Sequence, residues 1–351
     1  MPRDEFSGAN ILVVGGAGFV GSNLVHRLLP QGPRSIYVVD NLLSSEVENV
    51  PVSPVVHFTL GSIAEDRVLE NLPRDLDFVF HLACYHGNQS SIVDPIADHD
   101  NNTITTLKLF DRLRSFGSLK KVVYAAAGCA VAEKTFGEAT ATQEDAPLSL
   151  YHDSPYSISK IVGELYSNYY FRRHGLPVVR TRFQNVYGPR EILGAGRWRG
   201  TLHTVWRNVT PSFIWKALHR EALPLENGGI ASRDFVYVED LAEGLHKAAL
   251  HGAPGEVYNL ASGAETRIRD LADMINELTG NDRPVDLKPA RDWDRSGTRY
   301  GSTEKSERLL GFKAGIPVRE GLRRTIEWTR SNHDLIARCI ARHRYFIERT
   351  A

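Results

Sequence analysis

Along the first half of the chain, apolar residues gather in short unbroken runs. They are ILVVGG (11–16), SIYVVD (35–40), VVHFTLG (55–61), DFVFHLA (77–83) and KKVVYAAA (120–127), with LPVVRTRF (176–183) as a sixth. Such runs predict strands buried on both faces, because a strand with one wet face would alternate polar and apolar positions. Between them lie GSNLVHRLLP, DRVLENLP and NTITTLKLFDRLRSFG, whose apolar residues recur at helical spacing. Strand alternating with helix implies βαβ units, and hence a doubly wound parallel sheet with helices on both faces.

Past residue 189 the texture changes. ILGAGRWRG (192–200) is Gly- and Arg-rich loop material, and RDFVYVEDLAEGLHKAAL and GEVYNLASG then alternate with helical stretches such as IRDLADMINELTG (268–280). The expected organisation is a first domain over 8–189 that also receives parts of 230–262. A smaller α/β lobe over 190–330 follows, and then a C-terminal helix over 331–351. That last segment, HDLIARCIARHRYFIER, carries a strongly basic face and reads as one solvated surface helix.

Composition removes several classes. Lys plus Arg and Asp plus Glu each number 42, so the formal net charge is zero. A general binder of nucleic acid or acidic membranes would show a basic excess. Three cysteines, Cys84, Cys129 and Cys339, are too few and too scattered for a disulfide framework or a zinc cage. The opening MPRDEFSGAN is polar, and no apolar run approaches the roughly 20 residues of a membrane span. A soluble cytoplasmic protein that needs no metal is expected.

Two motifs carry chemistry. GGAGFVG follows the first strand and opens a helix, with Gly15, Gly18 and Gly21 in a G-x-x-G-x-x-G pattern. Glycines there permit a tight turn, close approach of a pyrophosphate and close packing of helix on strand. Asp40, at the end of the next strand, would accept both ribose hydroxyls of an adenosine and repel a 2′-phosphate, which favours NAD over NADP. A plain glycine turn is the bland alternative. YSISK then sets Tyr156 and Lys160 four apart, on one face of a helix. A phenol ordinarily ionises near about pH 10, and a neighbouring ammonium brings its phenolate toward neutrality. Such pairs also occur on helix surfaces without function.

Together these motifs make the chain resemble the extended short-chain dehydrogenase/reductase superfamily, specifically its NAD-dependent nucleotide-sugar epimerases and dehydratases, from about Asn10 to Trp328. GGAGFVGS resembles the dinucleotide loop (Gly15, Gly18, Phe19, Val20, Gly21), and DN at Asp40–Asn41 its ribose-binding strand end. HLA at 81–83, with Leu82 and Ala83, resembles the stretch passing under the nicotinamide, and SIVDP with Asn101–Asn102 the next helix pair. RFQNVYGP (182–189), RDFVYVEDLA (233–242) and DRSGTRYGSTEKSERLLGF (294–312) resemble substrate-side elements. The resemblance implies a Rossmann-type fold with a smaller C-terminal α/β lobe, and NAD as cofactor. It places Ser62, Ile63, Asn102, Ala125 and Phe183 beside the cofactor together with Tyr156 and Lys160. It places Asn185, Arg233 and Arg295 on the phosphates of a nucleotide-diphosphate sugar. Surface ion pairing with Asp234 and Asp294 is the bland alternative for the two arginines. His86 stands where UDP-galactose 4-epimerases carry a lysine near substrate, and is as readily an ordinary loop histidine. Helices around 99–116 and 155–174 are placed as for a homodimer contact.

One stretch departs from the family. The strand before YSISK ordinarily ends in a Ser or Thr that hydrogen-bonds the reacting hydroxyl, whereas this chain has AAAGC, with Ala127 at that position. Three readings stand: an enzyme that does without the hydroxyl, an alanine engineered to trap substrate, or a binding relative with weakened catalysis. The 4,6-dehydratases carry an Asp-Glu pair where this chain has Gly128 and Cys129, and Glu133 lies too far along for a decarboxylase. A-G-C-A-V-A-E is also similar to the matching strand of GDP-mannose 3,5-epimerases, whose cysteine is a base. Cys129 is therefore a candidate base or simply a small buried residue. The loop supplies only Arg197 and Arg199 where those enzymes have a lysine; both arginines either meet a substrate carboxylate or face solvent. The expected reaction is C4 epimerisation through a 4-keto sugar, with Tyr156 as base. The alternatives are 3- or 5-epimerisation, dehydration, net dehydrogenation, or binding without turnover.

Overall fold

The computed structural model describes residues 6–131, 137–290 and 297–350, apart from the side chains of Cys129 and Thr350. Seven parallel strands form the central sheet: β1 (Asn10–Val14), β2 (Ser35–Asp40), β3 (Val56–Leu60), β4 (Phe78–His81), β5 (Lys121–Ala127), β6 (Val178–Phe183) and β7 (Val257–Leu260). Their spatial order is β7-β6-β5-β4-β1-β2-β3. The winding reverses between β1 and β4, which pair in parallel with Ile11 opposite Phe78. Loops leaving the two strands at a reversal diverge to opposite faces, so a crevice opens at the strands' carboxyl ends.

Every residue of β1, β4 and β5 is buried, as their unbroken apolar runs require. The third run behaves otherwise. β3 is the sheet edge, and His57, Thr59 and Leu60 are exposed. Only one of its sides has a neighbouring strand, so the expectation of burial on both faces fails there.

Helices cover both faces. On one, Leu24, Val25 and Leu28 of α1 (Phe19–Leu28) pack with Leu241, Leu245 and Ala248 of α6 (Val238–His251). On the other, Val68 and Leu69 of α2 (Asp66–Glu70) join Leu109, Phe110 and Leu113 of α3 (Thr105–Leu113) and Tyr170 of α4 (Pro155–His174). β7 and α6 come from late in the chain: β7 is the outer strand of the sheet beside β6, and α6 packs on its face. The second lobe has its own core, where α5 (Val209–Leu218), α7 (Ile268–Thr279) and α8 (Val318–Ser331) bring together Phe213, Ile214, Leu271, Ile275, Leu322 and Ile326.

The C-terminal segment corrects the expectation of one solvated helix. It forms two, α9 (His333–Ala341) and α10 (Arg344–Thr350). Ile336 and Cys339 of α9 are buried against Ile192, Leu193, Ala195 and Trp215. The Gly- and Arg-rich loop thus supplies an apolar partner that the helix sequence alone does not reveal.

Seating α4 on β5 leaves no room for a side chain at Gly163, whose added Cβ would overlap the Tyr124 hydroxyl. Gly163→Ala should therefore destabilise the protein by about 1–3 kcal/mol through overpacking. Thermal unfolding followed by circular dichroism would show the loss as a lower Tm.

Candidate active site

The turn after β1 is built on close backbone approach. Gly15 has φ +83°, and a Cβ there would lie 2.6 Å from the Ala83 nitrogen, so glycine alone lets the ends of β1 and β4 meet. A Cβ on Gly21 would collide with the Gly15 carbonyl. Helix α1 therefore begins shortly beyond the strand, with Gly18 at the N-cap, which has no side chain to cap the first turn. Its first turn offers N–H groups and the positive end of the helix dipole to an anion.

Asp40 closes this end. Its carboxylate accepts from Ala17 N–H (3.0 Å), Leu42 N–H (2.9 Å) and Ser45 Oγ (2.8 Å), so it braces the glycine turn against the loop after β2. Burial raises its pKa above the ordinary carboxylate value, partly offset by these donors.

The other end is set by α4. Pro155 fills its first turn and Ser154 caps Ser157 N–H, so the helix begins one residue before Tyr156. Tyr156 and Lys160 then project together over the end of β5. Lys160 Nζ donates to the Ala125 carbonyl at 3.0 Å and lies 5.8 Å from the Tyr156 ring centre. Ala127 shares an apolar cluster with Tyr156, whereas Ala126 belongs to the core that holds Tyr124. Of the two alanines, it is Ala127 that packs beside the tyrosine. The His86 ring meets Tyr156 edge-on at 5.8 Å. Burial, then the charges of Arg207, Arg199 and Lys160, push the His86 imidazole down to about 3, so it is neutral across the working range. Below the floor, burial and Lys160 likewise hold His81 near 3, and its Nε2 is 2.9 Å from Thr106 Oγ1.

One cavity of about 680 Å³ joins these parts. Gly15, Gly18, Phe19, Val20, Gly21, Asp40, Asn41, Ser62, Ile63, Leu82, Ala83, Ala125 and Phe183 line it together with Tyr156 and Lys160. His86, Asn185 and Arg233 line it as well. Arg233 is buried and donates to the Ser232 and Gly297 carbonyls, each at 2.7 Å.

Three residues expected at the site are elsewhere. Asn102 stands behind the wall, in a π-helical turn (His99–Ile104), where it accepts from Tyr85 N–H (2.7 Å) and donates to Asp98 (2.7 Å) and Ser159 (3.2 Å). Arg197 is exposed. Arg199 is buried behind His86, donating to its carbonyl at 3.0 Å, because loop 192–200 folds inward against the C-terminal helices. Arg295, Asp294, Glu133 and the side chain of Cys129 lie outside the described residues.

The cavity also has walls that motif reading missed. Arg299, Gln184, Glu191, Arg207 and Asn208 line it. Gln184 lies over Gly128 and Gly301, two glycines that leave space for its amide. Burial pushes the Glu191 carboxyl up to about 7, with only partial relief from the Asn208 amide and Arg207. No spacing in the sequence links Glu191 to Asn208, since the turn between them is irregular.

Comparison with known proteins bears on this geometry. Residues 11–261 match the model of the NAD dependent epimerase/dehydratase family. The chain belongs to that family. It is 30% identical over 328 residues to a putative UDP-glucose 4-epimerase of Methanocaldococcus jannaschii, covering 92% of this chain and 99% of that one. It is 32% identical to a dTDP-glucose 4,6-dehydratase of Streptomyces antibioticus, covering 92% and 93%. Among solved structures, the Bordetella bronchiseptica enzyme WbmF in complex with NAD+ and UDP superposes with a TM-score of 0.88 at 57% identity, covering 97% of this chain and 98% of that one. UDP-glucose 4-epimerase of Thermotoga maritima, with UDP-glucose, gives 0.83 at 31% identity, covering 92% and 99%. NAD is the cofactor of this family, and the residues present fit it. Gly15 and Gly21 let β1, β4 and α1 meet at backbone contact, which leaves the first-turn N–H groups of α1 available to its phosphates, and Asp40 stands at the end of β2.

Because Asn102 ties together Tyr85, Asp98 and Ser159, Asn102→Ala leaves a buried amide and carboxylate without their partner. A loss of about 1–3 kcal/mol is expected, read as a lower urea midpoint at unchanged slope.

Proposed function

We propose that this protein epimerises a nucleotide-diphosphate sugar at C4, using NAD that is regenerated in each turnover. The observation that carries this reading is the Tyr156–Lys160 pair set over a floor of small residues, Ala125 to Ala127, in the cavity that also holds the glycine turn. Tyr156 takes the proton from the C4 hydroxyl, and the Lys160 ammonium, held on the Ala125 carbonyl, stabilises the phenolate that forms on the return step. Bound NAD supplies the hydride acceptor and donor. The alanine floor leaves the 4-keto sugar space to turn its other face before it is reduced. Neutral His86 borders the same space as a hydrogen-bonding group without charge. Arg233, with Arg299 from the substrate-side segment over 294–312 and Asn185, forms the site for the diphosphate, as forked donors suit that anion.

Dehydration is disfavoured because Gly128 occupies the first place of the acid pair that dehydratases carry. A nucleotide-sugar-binding relative with weakened catalysis is a second reading, favoured by one observation: the Ala127 methyl packs where a hydroxyl would meet Tyr156. We place the protein in the cytoplasm as a homodimer. The outer face of α4 presents Ile158, Leu165 and Tyr169, each at least half exposed, as an apolar surface for a second copy.

The test is incubation with NAD in D2O against UDP-, GDP-, CDP- and dTDP-hexoses and uronic acids, followed by NMR. An epimer at C4 without deuterium is expected. Deuterium at C3 or C5 would sink direct hydride return and make Cys129 the base to mutate. If the panel is silent and Ala127→Ser then restores turnover, the missing hydroxyl is the lesion; if it does not, the binding relative stands. In the active protein, Tyr156→Phe should lower kcat by about 10²–10⁴ while NAD remains bound.

A further inference from the structure

Loop 191–200 is pressed between two other backbones. Gly194 (φ +70°) lies under α9, where a Cβ would sit 2.7 Å from the Cys339 carbonyl oxygen. Gly196 (φ +81°) faces the opposite way, and a Cβ there would sit 2.7 Å from the Ser44 Cα. Both positions carry the positive φ that glycine adopts without strain, so three chain segments stack at backbone contact. The outermost is the C-terminal pair of helices, the middle is the loop, and the innermost is the segment after β2.

Polar bonds fasten the stack through one carboxylate. Glu46 accepts from Arg342 at both oxygens, at 2.7 and 3.1 Å, and from Gly196 N–H at 2.9 Å. Arg342 also donates to the Gly196 carbonyl, at 3.3 Å, and a His343 ring nitrogen is 2.9 Å from the Gly194 carbonyl oxygen. Arg197 N–H donates to the Leu43 carbonyl at 3.0 Å. Glu46 is nearly buried, whereas the neighbouring Arg338–Glu48 pair is open to solvent. Neither Glu46 nor Arg342 lines the cavity, but Leu43, Ser44 and Ser45 do, directly after Asp40 and Asn41.

We propose that the two C-terminal helices are a latch for the cofactor. Through Arg342 and Glu46 they fix the loop that walls the Asp40 end of the cavity, and so slow the release of NAD. Glu46 and Arg342 are positioning residues that act through Leu43–Ser45. A tightly held cofactor suits a reaction that returns its hydride, since NAD then need not leave between turnovers. The proposal rests on NAD occupying the Asp40 end, whichever carbon of the sugar reacts.

The experiment compares the full chain with Arg342→Ala, Arg342→Lys, Glu46→Gln and, as an exposed-pair control, Arg338→Ala. NAD retained after desalting, its dissociation rate and its Kd are measured, with Tm and circular dichroism alongside. Losing the bidentate pair should raise the Kd and dissociation rate about tenfold in Arg342→Ala and Glu46→Gln. Arg342→Lys should fall between, because an ammonium cannot engage both oxygens in a fork. Arg338→Ala should stay within about twofold of the parent. A chain ending at Asn332 should lose NAD further, if it folds; the point variants decide the matter where it does not. Unchanged NAD affinity and release in Arg342→Ala and Glu46→Gln would overturn the latch. A parent protein that binds no NAD would instead overturn the cofactor assignment, and the latch with it.

Discussion

Everything at the reactive end depends on how closely α4 lies on β5. Tyr124 fills the space that Gly163 leaves open, and this contact fixes the height of the helix above the strand. At that height Lys160 reaches the Ala125 carbonyl and Tyr156 packs on Ala127. A second restraint sets the helix's lateral position. Glu164 of α4 takes both forks of Arg182 on β6 at 2.9 Å, and Arg182 also donates to the Glu144 carbonyl. Both partners are buried, so the charges are costly to separate, and the pair resists sliding of helix over sheet. The strand end, the helix start and Tyr156 are thereby held by rigid elements rather than by loops.

The cofactor end obeys the same rule with smaller parts. Gly15 and Gly21 allow backbone contact among β1, β4 and α1, and the buried Asp40 carboxylate ties that turn to the segment after β2. The two ends meet because β1 and β4 are neighbours at the reversal of the sheet, and β5 lies next to β4. A single cavity follows from this order of strands. Its remaining wall is less regular, being built from the second lobe and the folded loop over 191–208. There burial disfavours charge on Glu191 and Arg207, and on Arg199 behind them; the two arginines donate to main-chain carbonyls, whereas Glu191 accepts from the Asn208 amide. That wall is shaped by the protein's own hydrogen bonding as much as by what it receives.

Much of this was legible in the sequence, for reasons that differ by element. Strands β1, β4 and β5 are buried on both faces, so their side chains cannot alternate, and the apolar runs mark them. The glycine turn and Tyr156–Lys160 are local motifs whose geometry is complete within a few residues, so spacing marks them and their occurrence together gives them weight. Asn102 was legible as belonging near the site but not as a brace, since its partners Tyr85 and Ser159 come from separate segments. The edge position of β3 could not be read either. Its run is as apolar as its neighbours', and only the sheet order leaves one side open.

By itself the sequence determined the strand–helix alternation, the glycine turn after β1 and the four-residue spacing of Tyr156 and Lys160. Each depends on interactions within one short segment or on the period of one element. Only the tertiary structure decided which residues line the cavity wall over 184–208, that Arg197 and Arg199 stay out of it, and that the last helices clasp the segment after β2. Those outcomes depend on contacts between residues far apart in the chain, such as Glu46 with Arg342 and Gly194 with Cys339. No local pattern encodes such pairs, because their energy exists only once the intervening chain has folded and brought them together.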